Sequence, residues 1–98
     1  MSQAHVEPDS APVHVRLPPA FANLFPDAPR RLEVHAATVS ELFDRLDELW
    51  PGMRDRLCDT RPAIRRHINV FMDGERLTLA SRLPPGSDVF VLTAVSGG

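Results

Sequence analysis

The sequence predicts an α+β fold, a mixed β-sheet with one main helix packed on one face. Three patterns point there: two runs that alternate apolar and polar residues, one amphipathic helical stripe after them, and further β-prone runs ending in one that is apolar on both faces. A chain of 98 residues supports one domain with one modest core. Residues 1–11 hold no periodicity and Pro8 and Pro12 argue against regular structure there, so they read as a loose tail ahead of a domain spanning residues 12–98.

Pro12-Val13-His14-Val15-Arg16-Leu17 alternates with period two, which turns Val13, Val15 and Leu17 inward. Pro18-Pro19 stops that strand, and the proline-rich stretch to Pro29 reads as a loop. Leu32 to Ala36 repeats the alternation. Thr38-Val39-Ser40-Glu41 is a capping box, with the threonine hydroxyl placed to accept an amide of the first turn while Glu41 reaches back. Behind it, Val39, Leu42, Phe43, Leu46, Leu49 and Trp50 form one helical stripe, and Glu41, Asp44, Arg45, Asp47 and Glu48 form a solvated face. Pro51-Gly52 ends this helix, and Met53 to Cys58 reads as one more short turn. His67 to Met72 is β-prone, and Asp73-Gly74 is a hairpin signal because both turn positions accept positive φ. After the turn cluster Pro84 to Asp88, the run Val89 to Val95 is nearly all apolar, the mark of a central strand. The order β-β-α-β-β-β with a returning central strand describes a β-grasp fold.

Composition narrows the function. All eleven basic residues are arginine and the net charge is −2, so no nucleic-acid surface is expected and Schiff-base lysine chemistry is excluded. Arg61, Arg65 and Arg66 read as a solvated face. No apolar run is long enough to cross a bilayer, and the first residues lack the basic start and apolar stretch of a secretory signal, so a cytoplasmic location away from membranes is expected. Cys58 is the one cysteine and reads as a small buried hydrophobe. His14 and His35 read as outward-facing polar residues; with His5 and His67 as the only other histidines, no metal site is expected. No serine sits in a nucleophile elbow and no glycine-rich loop precedes a helix, so neither an independent enzyme nor a bound cofactor is expected.

The sequence closes on Val95-Ser96-Gly97-Gly98, directly after the last strand. Two residues without Cβ atoms can extend through a narrow tunnel and carry a carboxylate away from the globular body. Joined to AMP, that carboxylate becomes a mixed anhydride, which sulfide can attack to leave a thiocarboxylate directly, or a persulfide by way of an acyl disulfide that a second thiol cleaves. The segment Ala94 to Gly98, preceded by Leu83-Pro84-Pro85-Gly86-Ser87-Asp88-Val89, resembles the ubiquitin-like sulfur carriers of the ThiS and MoaD family, MoaD being the small subunit of molybdopterin synthase. Ile68 to Glu75 and Thr38 to Leu42 resemble it too, so the resemblance covers residues 12–98. It implies adenylation of Gly98 by an E1-like enzyme of the MoeB/ThiF type that uses ATP, with Gly97 and Ser96 threading the tail to it. It further implies conversion to a thiocarboxylate and delivery of sulfur to a partner synthase. The stretch Arg65 to Phe71 is most similar to carriers that serve a cysteine synthase. The N-terminal tail, the proline-rich loop and the segment after the helix make this chain longer than compact members of the family.

Strand alternation puts Phe71, Phe90 and Leu92 on the face of the sheet away from the helix, an apolar patch placed to dock a partner. Two other readings of the same features stand beside sulfur carriage: a ubiquitin-like modifier joined to lysines of other proteins, and a non-catalytic interaction domain.

Overall fold

The fold is taken from a computed structural model, which describes residues 11–93. Five strands, β1 Val13–Arg16, β2 Arg31–Val34, β3 Ile68–Met72, β4 Glu75–Arg76 and β5 Asp88–Thr93, form one sheet in the order β2-β1-β5-β3-β4. β5 lies in the middle, parallel to β1 and antiparallel to β3, and the outer pairs β1/β2 and β3/β4 are antiparallel. The last strand is therefore central, as its two-sided apolar character predicts, and the α+β β-grasp arrangement holds.

Helix α2 (Val39–Leu49) crosses one face of the sheet, and its Val39, Leu42, Phe43 and Leu46 join Val13, Val15, Val34, Ile68, Val70, Val89 and Val91 in one buried cluster. Its start is tied down on two sides. Thr38 Oγ1 accepts from the Glu41 amide at 3.1 Å, and Glu41 reaches past the cap to take the Ala37 amide at 2.6 Å. The amides of Val39 and Ser40, which no helix can satisfy internally, donate to the carbonyls of Ser81 and Leu79 on the segment leading to β5. Leu49 departs from the stripe: it is 57% exposed. Ten residues at about 100° each carry it about 80° from Val39, to the margin of the buried arc, and Trp50 packs on the core in its place.

Two segments are more ordered than expected. The proline-rich loop holds a short helix, α1 (Phe21–Leu24), whose Phe21 is buried and whose first amides donate to the carbonyls of Pro18 and Pro19. Leu17 N donates to Arg30 O at 2.8 Å, closing the excursion back onto the hairpin. The short turn after α2 is a helix, α3 (Met53–Leu57), and Asp47 is not a free solvated carboxylate: its Oδ1 accepts from the amides of Gly52 and Arg54, both at 3.0 Å. The β3/β4 hairpin turns through Asp73 and Gly74 with φ of 55° and 81°, the two positive values its sequence calls for.

Replacing Thr38 by Ala removes the hydroxyl cap and is expected to destabilise the fold by about 1 kcal/mol in chemical denaturation, with the transition remaining cooperative.

Candidate functional site

Because β1, β2, β3 and β5 alternate, the sheet has one face of buried valines and isoleucine and one open face. On β5, Val89 and Val91 are buried while Phe90 is half-buried and Leu92 is 45% exposed; on β3, Val70 is buried while Phe71 is half-buried. The three residues expected to form an apolar patch do come together: Phe71 is the cross-strand partner of Phe90, and Leu92 follows opposite Asn69. Register extends this pairing into a full row across the sheet, Arg76 (β4), Phe71 (β3), Phe90 (β5), Arg16 (β1) and Arg31 (β2). The Arg16 guanidinium carbon lies 5.0 Å from the centre of the Phe90 ring, a cation–π stack. The neighbouring row is Glu33, His14 and Asp88, in which His14 Nδ1 stands 3.4 Å from Glu33 Oε2. The two rows border a shallow concavity of about 300 Å³.

Alternation was enough to find the phenylalanines. It could not find Arg16 as their neighbour, because residues more than seventy positions apart become adjacent only through the parallel β1/β5 pairing. Ser96, Gly97 and Gly98, the predicted activation site, lie outside the described residues; the chain reaches them from β5, whose last residue, Thr93, pairs with Ile68.

Several other chemistry-bearing residues are engaged in structure, while Arg66, His35 and His67 form no side-chain hydrogen bond or ion pair among the described residues. Arg61 pairs with Asp59 at 2.6 Å, and this partner holds the Asp59 carboxyl below the usual carboxylate range. Arg65 Nε donates to the Asp55 carbonyl at 2.7 Å. Arg54 joins α3 to α2 through Asp44 at 3.1 Å and the Ser40 carbonyl at 3.0 Å. Cys58 is buried, and burial pushes its thiol above the ordinary range. Among the described residues no helix is long and apolar enough to cross a membrane.

No protein-family model matches the sequence, nor does any curated protein. Solved structures do. A chain of the BexX/CysO complex of Amycolatopsis orientalis is 27% identical, with a TM-score of 0.76, the match covering 88% of this chain and 99% of that one. SAMP1 from Haloferax volcanii is 25% identical with a TM-score of 0.73, covering 90% of this chain and 100% of its own. In sequence and fold the chain is similar to the ThiS/MoaD-like ubiquitin-like proteins. The similar proteins include sulfur carriers and ubiquitin-like modifiers. Urm1 from Trypanosoma brucei, at 16% identity and a TM-score of 0.64, shares the fold over 95% of this chain. The open face of the sheet carries the Arg76 to Arg31 row.

The buried thiol gives a direct test of the packing around Cys58. Alkylation at mildly alkaline pH is expected to be far slower than for a free thiol and to accelerate on denaturation. Since the folded thiol ionises at higher pH than the unfolded one, stability should fall as pH climbs from the ordinary thiol range toward the raised value.

Proposed function

We propose that this protein is a sulfur carrier: an E1-like enzyme adenylates the Gly98 carboxylate with ATP, and a sulfur donor converts the adenylate to a thiocarboxylate that a partner synthase consumes. The observation that carries this reading is β5. It is the middle strand, hydrogen-bonded to β1 and β3, and it leads into Ala94-Val95-Ser96-Gly97-Gly98. A strand paired on both sides is among the last parts of a small sheet to open, so the tail is rooted in firm structure. Five residues extend at most about 18 Å, enough to place a terminal carboxylate inside a partner's active site while the body stays at its rim.

In this mechanism the carrier contributes the electrophilic carbon and the partner contributes catalysis. The carboxylate oxygen attacks the α-phosphorus of ATP and pyrophosphate leaves; sulfide then attacks the acyl carbon and AMP leaves with the bonding pair, or a persulfide does so and a second thiol cleaves the resulting acyl disulfide, departing as a disulfide with the donor. Phe71, Phe90 and Leu92 dock the adenylating enzyme. Similarity to a chain of the BexX/CysO complex supports service to a sulfur-accepting partner, a cysteine synthase being one such acceptor. Similarity to SAMP1, a small archaeal modifier protein, supports the second reading, in which the same activated glycine forms an isopeptide bond with lysines of other proteins. The chain has no lysine, so it offers no side-chain amine for linkage to its own copies.

Incubation with the adenylating enzyme, ATP and a sulfur donor, followed by cleavage after arginine, should convert the terminal acid of the peptide Leu83 to Gly98 to a thioacid. This peptide contains neither methionine nor cysteine, so oxidation cannot imitate the mass change. Conjugates that survive reduction, without a thioacid, would favour the modifier. Deleting Gly98 should abolish activation.

Phe90→Asp is expected to leave the melting temperature within a few degrees of wild type, since the ring is only half-buried and the new acid faces Arg16. Binding to the adenylating enzyme should weaken at least tenfold; unchanged binding in calorimetry would remove Phe90 from the interface.

A further inference from the structure

The open face breaks a rule that sheets normally keep. Like charges placed directly opposite one another on neighbouring strands destabilise the pair, yet Arg16 and Arg31 are direct cross-strand partners. The adjacent row obeys the rule, with His14 set between the acids Glu33 and Asp88. Arg16 is partly accommodated by stacking on Phe90, but neither Arg31 nor Arg76, at the two ends of the row, forms an ion pair among the described residues. Elsewhere Arg45, Arg54 and Arg61 have carboxylate partners within 4 Å, whereas Arg30, Arg56, Arg65, Arg66 and Arg82 have none among the described residues, so it is the alignment across five strands that sets this row apart. A chain of net charge −2 thus gathers three guanidiniums in one line around two phenyl rings.

We infer that the row recognises a protein surface with an apolar cleft flanked by carboxylates, one group of acids facing Arg31 and Arg16 and another facing Arg76. The inference rests on the reading that the open face meets the adenylating enzyme. Charge complementarity specifies the occupant: Arg31 and Arg76 sit four strand spacings apart, about 19 Å between backbones, with the aromatic pair between them. Docking brings an acid to the Arg16–Arg31 pair and offsets its like charges, which favours the complex. A nucleic-acid backbone fits less well, because Glu33 and Asp88 in the next row would repel its phosphates.

The test is calorimetric titration of the E1-like adenylating enzyme encoded in the same genome, without ATP, so that docking is read apart from chemistry. Arg31→Glu and Arg76→Glu should each weaken binding at least tenfold and flatten its salt dependence, while Arg56→Glu, on α3, should match wild type. Arg31→Glu also sets an acid opposite Arg16, so its melting temperature should hold or rise as its affinity falls, which damage to the fold would not produce. Wild-type affinity in Arg31→Glu and Arg76→Glu, equal loss in Arg56→Glu, or a wild-type dimer that occupies the face would overturn the inference. Docking that behaves as expected but yields no thiocarboxylate with ATP and sulfur donor sinks sulfur carriage and leaves the acidic interface standing. Thiocarboxylate formation at the wild-type rate in Arg31→Glu does the reverse.

Discussion

The position of β5 between β1 and β3 is the constraint on which the rest of this structure depends. Its parallel pairing with β1 requires the chain to cross the sheet between them, and α2 lies within that crossing. Its antiparallel pairing with β3 aligns Phe71 with Phe90. Its own alternation supplies Val89 and Val91 to the core and Phe90 and Leu92 to the open face, so one strand of six residues serves packing and display together.

Around that strand, polar groups join elements that hydrophobic burial alone would leave loosely oriented. The segment before β5 accepts the first amides of α2, and Asp47 near the end of α2 accepts the first amides of α3. Helix ends carry unsatisfied donors by construction, and here each set is met by the next packed element. The result is that α2, α3 and the approach to β5 are fixed to one another by directional bonds.

Much of this was legible in the chain. Period-two alternation located β1 and β2, β-propensity located β3, a nearly unbroken apolar run located β5, the Thr38–Glu41 box located the start of α2, and Asp73-Gly74 located the hairpin, because each signal is local and has a single physical cause. Leu49 misled because membership of a helical stripe is a matter of angle, and its angle is marginal. α1 was hidden by prolines that usually mark loops but here sit just before the first turn, where no amide is needed. The carboxylate of Asp47 looked like surface charge because its partners belong to a helix not yet placed. At the site, parity identified Phe71, Phe90 and Leu92, whereas the arginine row required strand order, which no local pattern encodes.

The strict alternation of β5 also ties recognition to folding. A slip of one residue against β1 or β3 would send Phe90 and Leu92 into the core and bring Val89 and Val91 to the surface. Such a chain would lose its buried valines and its phenylalanine pair in the same event. A mispaired copy therefore cannot present a correct docking surface, and a partner that reads the open face is at the same time inspecting the register of the sheet.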